Sequence, residues 1–202
     1  ISDLPGYWKP FASPVVTILG ILLVPTFLAI LLGLGVFKRR VKGAYFAILS
    51  QALAAAFAIL LIGQQATTGG TNGLNGFRSF FGYDLADPVN KRMLFFIAAG
   101  ALLVMVAIAR QLMVSRFGEL LVAVRDQENR VRFLGYSVEG YKLFVFTLTA
   151  IIAAIAGALY YPQAGIITPA ELMPIASIYL AVWVAIGGRG RLYGAVIGAA
   201  VV

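Results

Sequence analysis

The sequence predicts an all-α fold, a polytopic transmembrane helix bundle with a cytoplasmic amphipathic helix. Of its 202 residues, 61% are hydrophobic, and the mean hydropathy is +0.92. Soluble domains are only about 45–50% apolar. The apolar residues form runs long enough to cross the ~30 Å hydrocarbon layer as helices. Basic residues separate these runs instead of forming one stripe, so the net charge of +8 indicates membrane topology and argues against a nucleic-acid partner.

The absence of two residue types narrows the function. The chain has no cysteine and no histidine, which excludes thiol nucleophiles, Cys/His zinc sites and imidazole bases. We therefore expect no enzyme activity, no catalytic residue, no metal site and no cofactor. The chain opens on Ile1 and stops at Val202 within an apolar run. We interpret residues 1–202 as a single transmembrane domain that is a fragment of a longer protein.

The first half of the chain predicts three spans. Ser13-Pro14 has the form of an N-cap followed by proline at the first helical position, ahead of a span at 15–37. A second span is predicted at 44–62, and a glycine-rich external loop follows it. Asp87-Pro88 repeats the cap signal ahead of a third span at 93–113.

The second half predicts two more spans and the start of another. The fourth span, at 143–161, is expected to end before Pro162 because proline interrupts helices. The run Thr168-Pro169-Ala170-Glu171 resembles a capping box and opens a span predicted at 169–186. A last, truncated span begins at 192. The basic connections between spans predict a cytoplasmic side, and the loops at 63–92 and 162–171 then face outward.

A charged segment at 115–142 separates the third and fourth spans. Its residues at helical spacing place Leu120, Val124, Val131 and Leu134 on one face and charged residues on the other. Acid-first pairs at i,i+4, Asp126 with Arg130 and Glu128 with Arg132, would each contribute about 0.2–0.5 kcal/mol to a helix. The pattern alone fits a solvated loop helix and a docking surface for a soluble partner equally well.

The spans carry no Asp, Glu, Lys or Arg in their central parts. Ion-coupled carriers commonly place such groups at mid-membrane, so energy for transport is expected to enter from outside the membrane. Gln51 and a polar, glycine-rich stretch after the second span could line a path for a small neutral solute. The alternative interpretation of this stretch is that the second helix simply ends here and continues as an external loop. The candidate pathway residues are Gln51, Gln64, Thr67, Thr68, Gly69, Gly70, Thr71 and Asn72.

Four stretches together resemble one family. They are KGAYFAILSQ (42–51), TGGTNGL (68–74), RFGELLVAVRDQENRVRFLG (116–135) and VAIGGRGRLYGAVIG (184–198). The chain resembles the permease subunits of ATP-driven ABC importers for branched-chain amino acids and urea, over nearly all of residues 38–202. Gln51, Thr71-Asn72, the run YYPQAGIITP (160–169) and Trp183 make it most similar to the second permease subunit of the urea branch.

The resemblance implies a multi-pass protein of the bacterial inner membrane and several partners in addition to the lipid bilayer. These are a homologous second permease subunit, two cytoplasmic ATPase subunits that hydrolyse the ATP, and an external solute-binding protein. Residues 115–135 then correspond to the coupling helix that docks on an ATPase. The expected coupling residues are Gly118, Glu119, Leu120, Val124, Arg125, Asp126, Glu128, Arg132 and Gly135.

The cargo implied by the resemblance is urea, a small neutral polar solute. A branched-chain amino acid is the first alternative, since the same architecture serves both. A passive channel for small neutral solutes belongs to a different class and would need no charged cytoplasmic helix. A membrane scaffold that transports nothing is the third alternative.

Overall fold

Seven α-helices make up nearly all of the regular structure in the described part of the chain. The computed structural model describes residues 13–39, 41, 43–65, 70–75, 79–80, 83–188 and 192–201. The helices are α1 (Pro14–Lys38), α2 (Ala44–Gly63), α3 (Pro88–Val114), α4 (Arg116–Phe133), α5 (Val138–Ala164), α6 (Pro174–Gly187) and α7 (Leu192–Val201). The predicted all-α polytopic class is confirmed, and α1, α2, α3 and α5 are long and apolar enough to span a membrane. The division into a single domain stays a prediction.

The three predicted helix starts, each a capping residue followed by proline, differ in outcome. Asp87 caps α3 as predicted, because its Oδ1 accepts a hydrogen bond of 2.9 Å from the Val89 backbone N–H. Ser13 occupies the N-cap position of α1 with Pro14 after it, but its side chain makes no capping bond. The predicted capping box at Thr168 opens only a short 3-10 turn, Pro169–Leu172.

Two prolines act differently from the prediction. The structure does not have one helix at 169–186, because Met173 is extended and α6 starts afresh at Pro174. Proline lacks an N–H and drives the residue before it out of the helical region. Pro162, by contrast, does not end α5, which continues to Ala164. It lies in the last turn, where the chain leaves the helix through Gly165 at φ +77° and the Gly165 N–H donates to the Tyr161 carbonyl.

The helices α1 and α5 pack closely along each other. Gly33 of α1 is buried, and a Cβ at this position would overlap the Leu143 side chain of α5. Toward the predicted cytoplasmic end, Phe37 of α1 and Phe146 of α5 meet edge to face, with ring centroids 5.7 Å apart. Phe46 of α2 completes this cluster, 6.2 Å from the Phe146 ring. Three spans are therefore joined at one end.

The two connections that are predicted to face outward are paired with each other. Strand β1 (Leu74–Asn75) runs antiparallel to β4 (Ile166–Ile167), and β2 (Ser79–Phe80) pairs with β3 (Tyr83–Asp84). Gly73, at φ +64°, lies against the Ile167 backbone so closely that a Cβ would overlap the Ile167 carbonyl. We call the β1–β4 pair the outer brace, because it joins the connection after α2 to the connection after α5.

The helices α6 and α7 meet through glycine. Gly194 and Gly198 are small residues four positions apart, a spacing typical of close helix packing. Gly194 lies against the Gly187 carbonyl, and Gly198 lies against the Trp183 carbonyl, with no room for a side chain at either. The two helices are bent by 112° and together count as at most one further span.

Candidate coupling surface and solute pathway

A sharp corner joins α3 to α4. Ser115 between them is extended, at φ −78° and ψ 166°, and its hydroxyl donates to the Leu112 carbonyl at 2.7 Å. Its own carbonyl accepts from the Gly118 N–H at 2.8 Å. Gly118 is buried at this corner. A Cβ at this position would overlap the Met113 carbonyl oxygen, so there is no room for a side chain. Gly118 lies in the first turn of α4, where the absence of a side chain lets the backbone pass close to the end of α3.

A helix is present where the sequence predicts an amphipathic one, but it is not continuous. Gln127 has φ −144° and ψ 61°, outside the helical region, so α4 consists of two segments, 116–126 and 128–133. We call residues 116–126, which follow α3, the outer segment, and residues 128–133, which lead to α5, the inner segment; these names do not refer to the sides of the membrane. The predicted helix is therefore interrupted at Gln127, and the two segments can be held by different contacts.

The apolar side of α4 faces a small core. Val124 from the outer segment and Val131 from the inner segment contact Val138, the fully buried first residue of α5, with Leu120 packed against them. The predicted apolar face is thus correct for Leu120, Val124 and Val131. It is wrong for Leu134, which is 75% exposed. Leu134 lies past the last helical residue, where Gly135 at φ +89° turns the chain toward α5.

The charged side of α4 divides at the same break. Asp126 does not reach Arg130, its predicted partner; it binds its neighbour Arg125, with Oδ1 2.8 Å from Nε. Gln127 lies between Asp126 and Arg130, and its non-helical conformation removes the i,i+4 geometry that the pair needs. The Arg125 hydrogen bond lowers the pKa of Asp126 below its ordinary value, and the same bond raises the pKa of Arg125. Both side chains stay charged at neutral pH and are exposed.

Glu128 and Arg132 of the inner segment form the pair that the sequence predicts, 3.1 Å apart. Two residues of α5 join them. Arg132 also lies 2.8 Å from Glu139, and Lys142 lies 2.9 Å from the second oxygen of Glu128. Sequence reasoning missed Glu139 and Lys142 as partners, because the contact depends on α5 returning beside α4. Glu119, also predicted for this surface, is an exposed acid in the first turn of α4.

The predicted pathway residues follow α2 and the connection after it. Gln51 is half-buried in α2, and the described residues provide no hydrogen bond to its side-chain amide. Gln64 is exposed at the C-cap of α2. Gly70 is buried at φ +59° in a 3-10 turn with Thr71 and Asn72, close to Ile62 of α2. Thr67, Thr68 and Gly69 lie outside the described residues.

The structure separates these residues into two groups. Gly70 to Asn72 and Gln64 gather at the outer end of α2, while Gln51 is thirteen positions earlier on the helix, about 20 Å away at 1.5 Å per residue. These residues therefore lie at two different depths of the span α2 and do not form one pocket. Within the described ranges, no three Asp, Glu, His or Cys side chains are grouped so that they could hold a metal ion.

Comparison with known proteins identifies the family. A family model described as branched-chain amino acid transport system, permease component, matches residues 6–202. The chain belongs to this permease family. Together with the apolar helices, this makes the permease a multi-pass protein of the bacterial inner membrane.

The permease is similar to permease proteins of two kinds of transport system. It is 27% identical over 186 residues to the high-affinity branched-chain amino acid transport system permease protein LivM of Escherichia coli (strain K12), covering 79% of this chain and 43% of LivM. It is 31% identical over 103 residues to the autoinducer 2 import system permease protein LsrC of Yersinia enterocolitica, covering 48% of this chain and 29% of LsrC. The permease thus spans less than half the length of these relatives. No solved structure matches it.

The spans of the permease leave most of their large apolar side chains uncovered. Phe27 of α1, Phe96 of α3 and Leu103 of α3 are 65 to 70% exposed. In water such exposed apolar faces would lead to aggregation. In a membrane they can contact lipid tails or neighbouring apolar helices, which are as apolar as the side chains themselves. The exposed spans are consistent with a membrane protein that buries further surface against lipid or other subunits.

Proposed function

We propose that the chain is part of a permease subunit of an ATP-driven importer, and that α4 is its coupling element. The observation that carries this proposal is the two-part construction of α4. Its outer segment presents the exposed ion pair Arg125–Asp126, whereas its inner segment is bound to the start of the span α5. A solvated loop helix has no need of such an attachment. A helix that receives a force from a soluble ATPase needs this attachment, because the force must be passed on to a membrane span.

The mechanism follows from these contacts. ATP binding draws two ATPase subunits together, and the outer segment moves with the ATPase on which it docks. The inner segment transmits this displacement to α5, and α5 carries α1 with it through the Gly33–Leu143 contact. The spans then tilt against a homologous partner permease and expose the solute route alternately to each side. In this scheme the permease itself hydrolyses no ATP.

For the cargo we propose a small neutral polar solute, with urea first. Gln51 supports this choice, because a half-buried amide in a span can offer both a donor and an acceptor to such a solute. A branched-chain amino acid is the second candidate, and the names of the LivM relatives favour it.

The cargo test uses the intact permease pair reconstituted with its ATPases and its external binding protein. ATP hydrolysis is measured with the binding protein loaded with urea, with leucine or with neither. Stimulation by urea alone supports both the importer and its cargo. Stimulation by leucine alone keeps the importer and rejects urea. If neither solute stimulates an assembled complex and urea uptake proceeds without ATP, the importer is rejected in favour of a passive channel.

A substitution at Gln51 tests the route. We expect Gln51→Leu to lower the maximal uptake rate about tenfold, which corresponds to about 1.4 kcal/mol and to the loss of one hydrogen-bonding partner. The measurement is radiolabelled cargo uptake into proteoliposomes at saturating cargo. Gln163→Leu is the matched control, because the Gln163 amide already donates to the Leu159 carbonyl of its own helix at 2.9 Å. Equal uptake rates in the two variants would remove Gln51 from the route.

A further inference from the structure

We propose that Glu128, Arg132, Glu139 and Lys142 form a charge clamp that makes the inner segment of α4 move with α5, and that Arg132 is its positioning residue. This inference rests on the proposed coupling function of α4. It assigns the transmission step to four side chains, two of which, Glu139 and Lys142, lie outside the helix that docks.

The four charges form an alternating chain from Lys142 to Glu128, Arg132 and Glu139. The successive distances are 2.9, 3.1 and 2.8 Å. The Arg132 Nη2 atom reaches both carboxylates. The chain of charges starts on α5, passes through two residues of α4 and returns to α5, so two of the three ion pairs join the helices. The two acids and two bases have no net charge, so the chain adds no repulsion between the helices.

Burial distinguishes the clamp from the exposed pair on the outer segment. The side chains of Glu128, Arg132 and Glu139 are 19, 26 and 34% exposed, against 68 and 55% for Arg125 and Asp126. Partly buried pairs are less screened by salt than exposed ones. The clamp is therefore suited to hold two helices together, and the exposed pair is suited to meet a partner.

The surroundings of the clamp connect it to a third helix. The crevice that it lines also includes Phe37 and Val41, at the end of α1 and just beyond it, and Val138 from the α4–α5 core. The Arg132 Nε is buried without a hydrogen-bond partner among the described residues. The guanidinium is thus held by its Nη2 bonds to the two acids, which makes both bonds important to its position.

The test measures both the position of the inner segment and the transport stoichiometry. Residues 1–202 contain no cysteine, so spin labels are placed at Asn129→Cys and Gly140→Cys in an assembled transporter from which any other cysteines have been removed. We expect a narrow distance distribution with Arg132 present and a distribution at least twice as wide in Arg132→Gln. We also expect Arg132→Gln to reduce cargo transported per ATP hydrolysed at least fivefold, while the ATPase remains bound.

The matched control is Arg130→Gln, which removes an exposed arginine from the same segment. It should leave the label distances and the stoichiometry unchanged. The exchange Arg132→Glu with Glu139→Arg re-forms one pair with reversed charges and should recover part of the narrow distribution. A narrow distribution or an unchanged stoichiometry in Arg132→Gln would overturn the clamp. The label distances need no transport activity, so a complex without ATP-driven uptake would reject the proposed function while the distances still decide whether the clamp holds.

Discussion

The substitution Gly118→Val is expected to produce the largest loss, at least a tenfold fall in ATP-driven uptake together with a lower unfolding temperature. The added side chain would overlap the Met113 carbonyl oxygen and would lie 2.7 Å from that of Leu112. Both obstacles are backbone atoms, so the corner between α3 and α4 must open. Overpacking of this kind costs about 1–3 kcal/mol, and it also redirects the outer segment of α4.

The control for this variant is Gly100→Val in the middle of α3. A Cβ at Gly100 meets no atom within 4 Å, and valine is a better helix former than glycine. Thermal unfolding of the purified permease in detergent and uptake into proteoliposomes are measured for both variants. Equal unfolding temperatures for Gly118→Val and Gly100→Val would show that the corner does not need glycine.

The second large effect is expected from exchanging the charges of the exposed pair, as Arg125→Asp with Asp126→Arg. The exchange keeps one acid beside one base, so the pair itself can re-form, but it inverts the charge pattern offered to a partner. We expect the affinity for the ATPase to fall about tenfold or more, since charges facing like charges at an interface cost at least ~1.4 kcal/mol. Insertion into the membrane should be unchanged.

The measurement is the amount of ATPase retained by the detergent-solubilised permease as the ATPase concentration is varied, near pH 7. Both groups are charged there, because the hydrogen bond lowers the pKa of Asp126 and raises the pKa of Arg125. Lys91→Glu is the control, a charge reversal at the opposite end of α3. If the exchange variant retains the ATPase as well as Lys91→Glu does, the outer segment is not the docking surface.

Local chemistry made much of the fold predictable. Apolar runs of span length identified α1, α2, α3 and α5, and the Asp87 cap was correct because its hydrogen bond is to a residue two positions away. Proline was a less reliable guide. Its effect depends on its place in the helix, so Pro162 is accommodated in a last turn whereas Pro174 begins a new helix.

The candidate site shows the same division. The pair Glu128–Arg132 was predictable, since i,i+4 spacing alone brings the side chains together. The contacts of Glu139 and Lys142 with α4 were not, because they depend on the direction in which α5 leaves the turn at Gly135. The break at Gln127 has no sequence signal such as glycine or proline, and it removed the predicted Asp126–Arg130 pair.

The outer brace has a consequence for how such permeases diversify. Its two strands are joined through backbone groups at Leu74, Asn75, Ile166 and Ile167, and backbone hydrogen bonds are the same whatever the side chains are. Side chains in these connections can therefore be exchanged while the backbone pairing keeps the two connections joined. Gly73 does not tolerate substitution, because any side chain there would overlap the Ile167 carbonyl. Under the proposed solute route, the residues around the outer brace can therefore vary between related permeases while Gly73 and the backbone pairing stay the same.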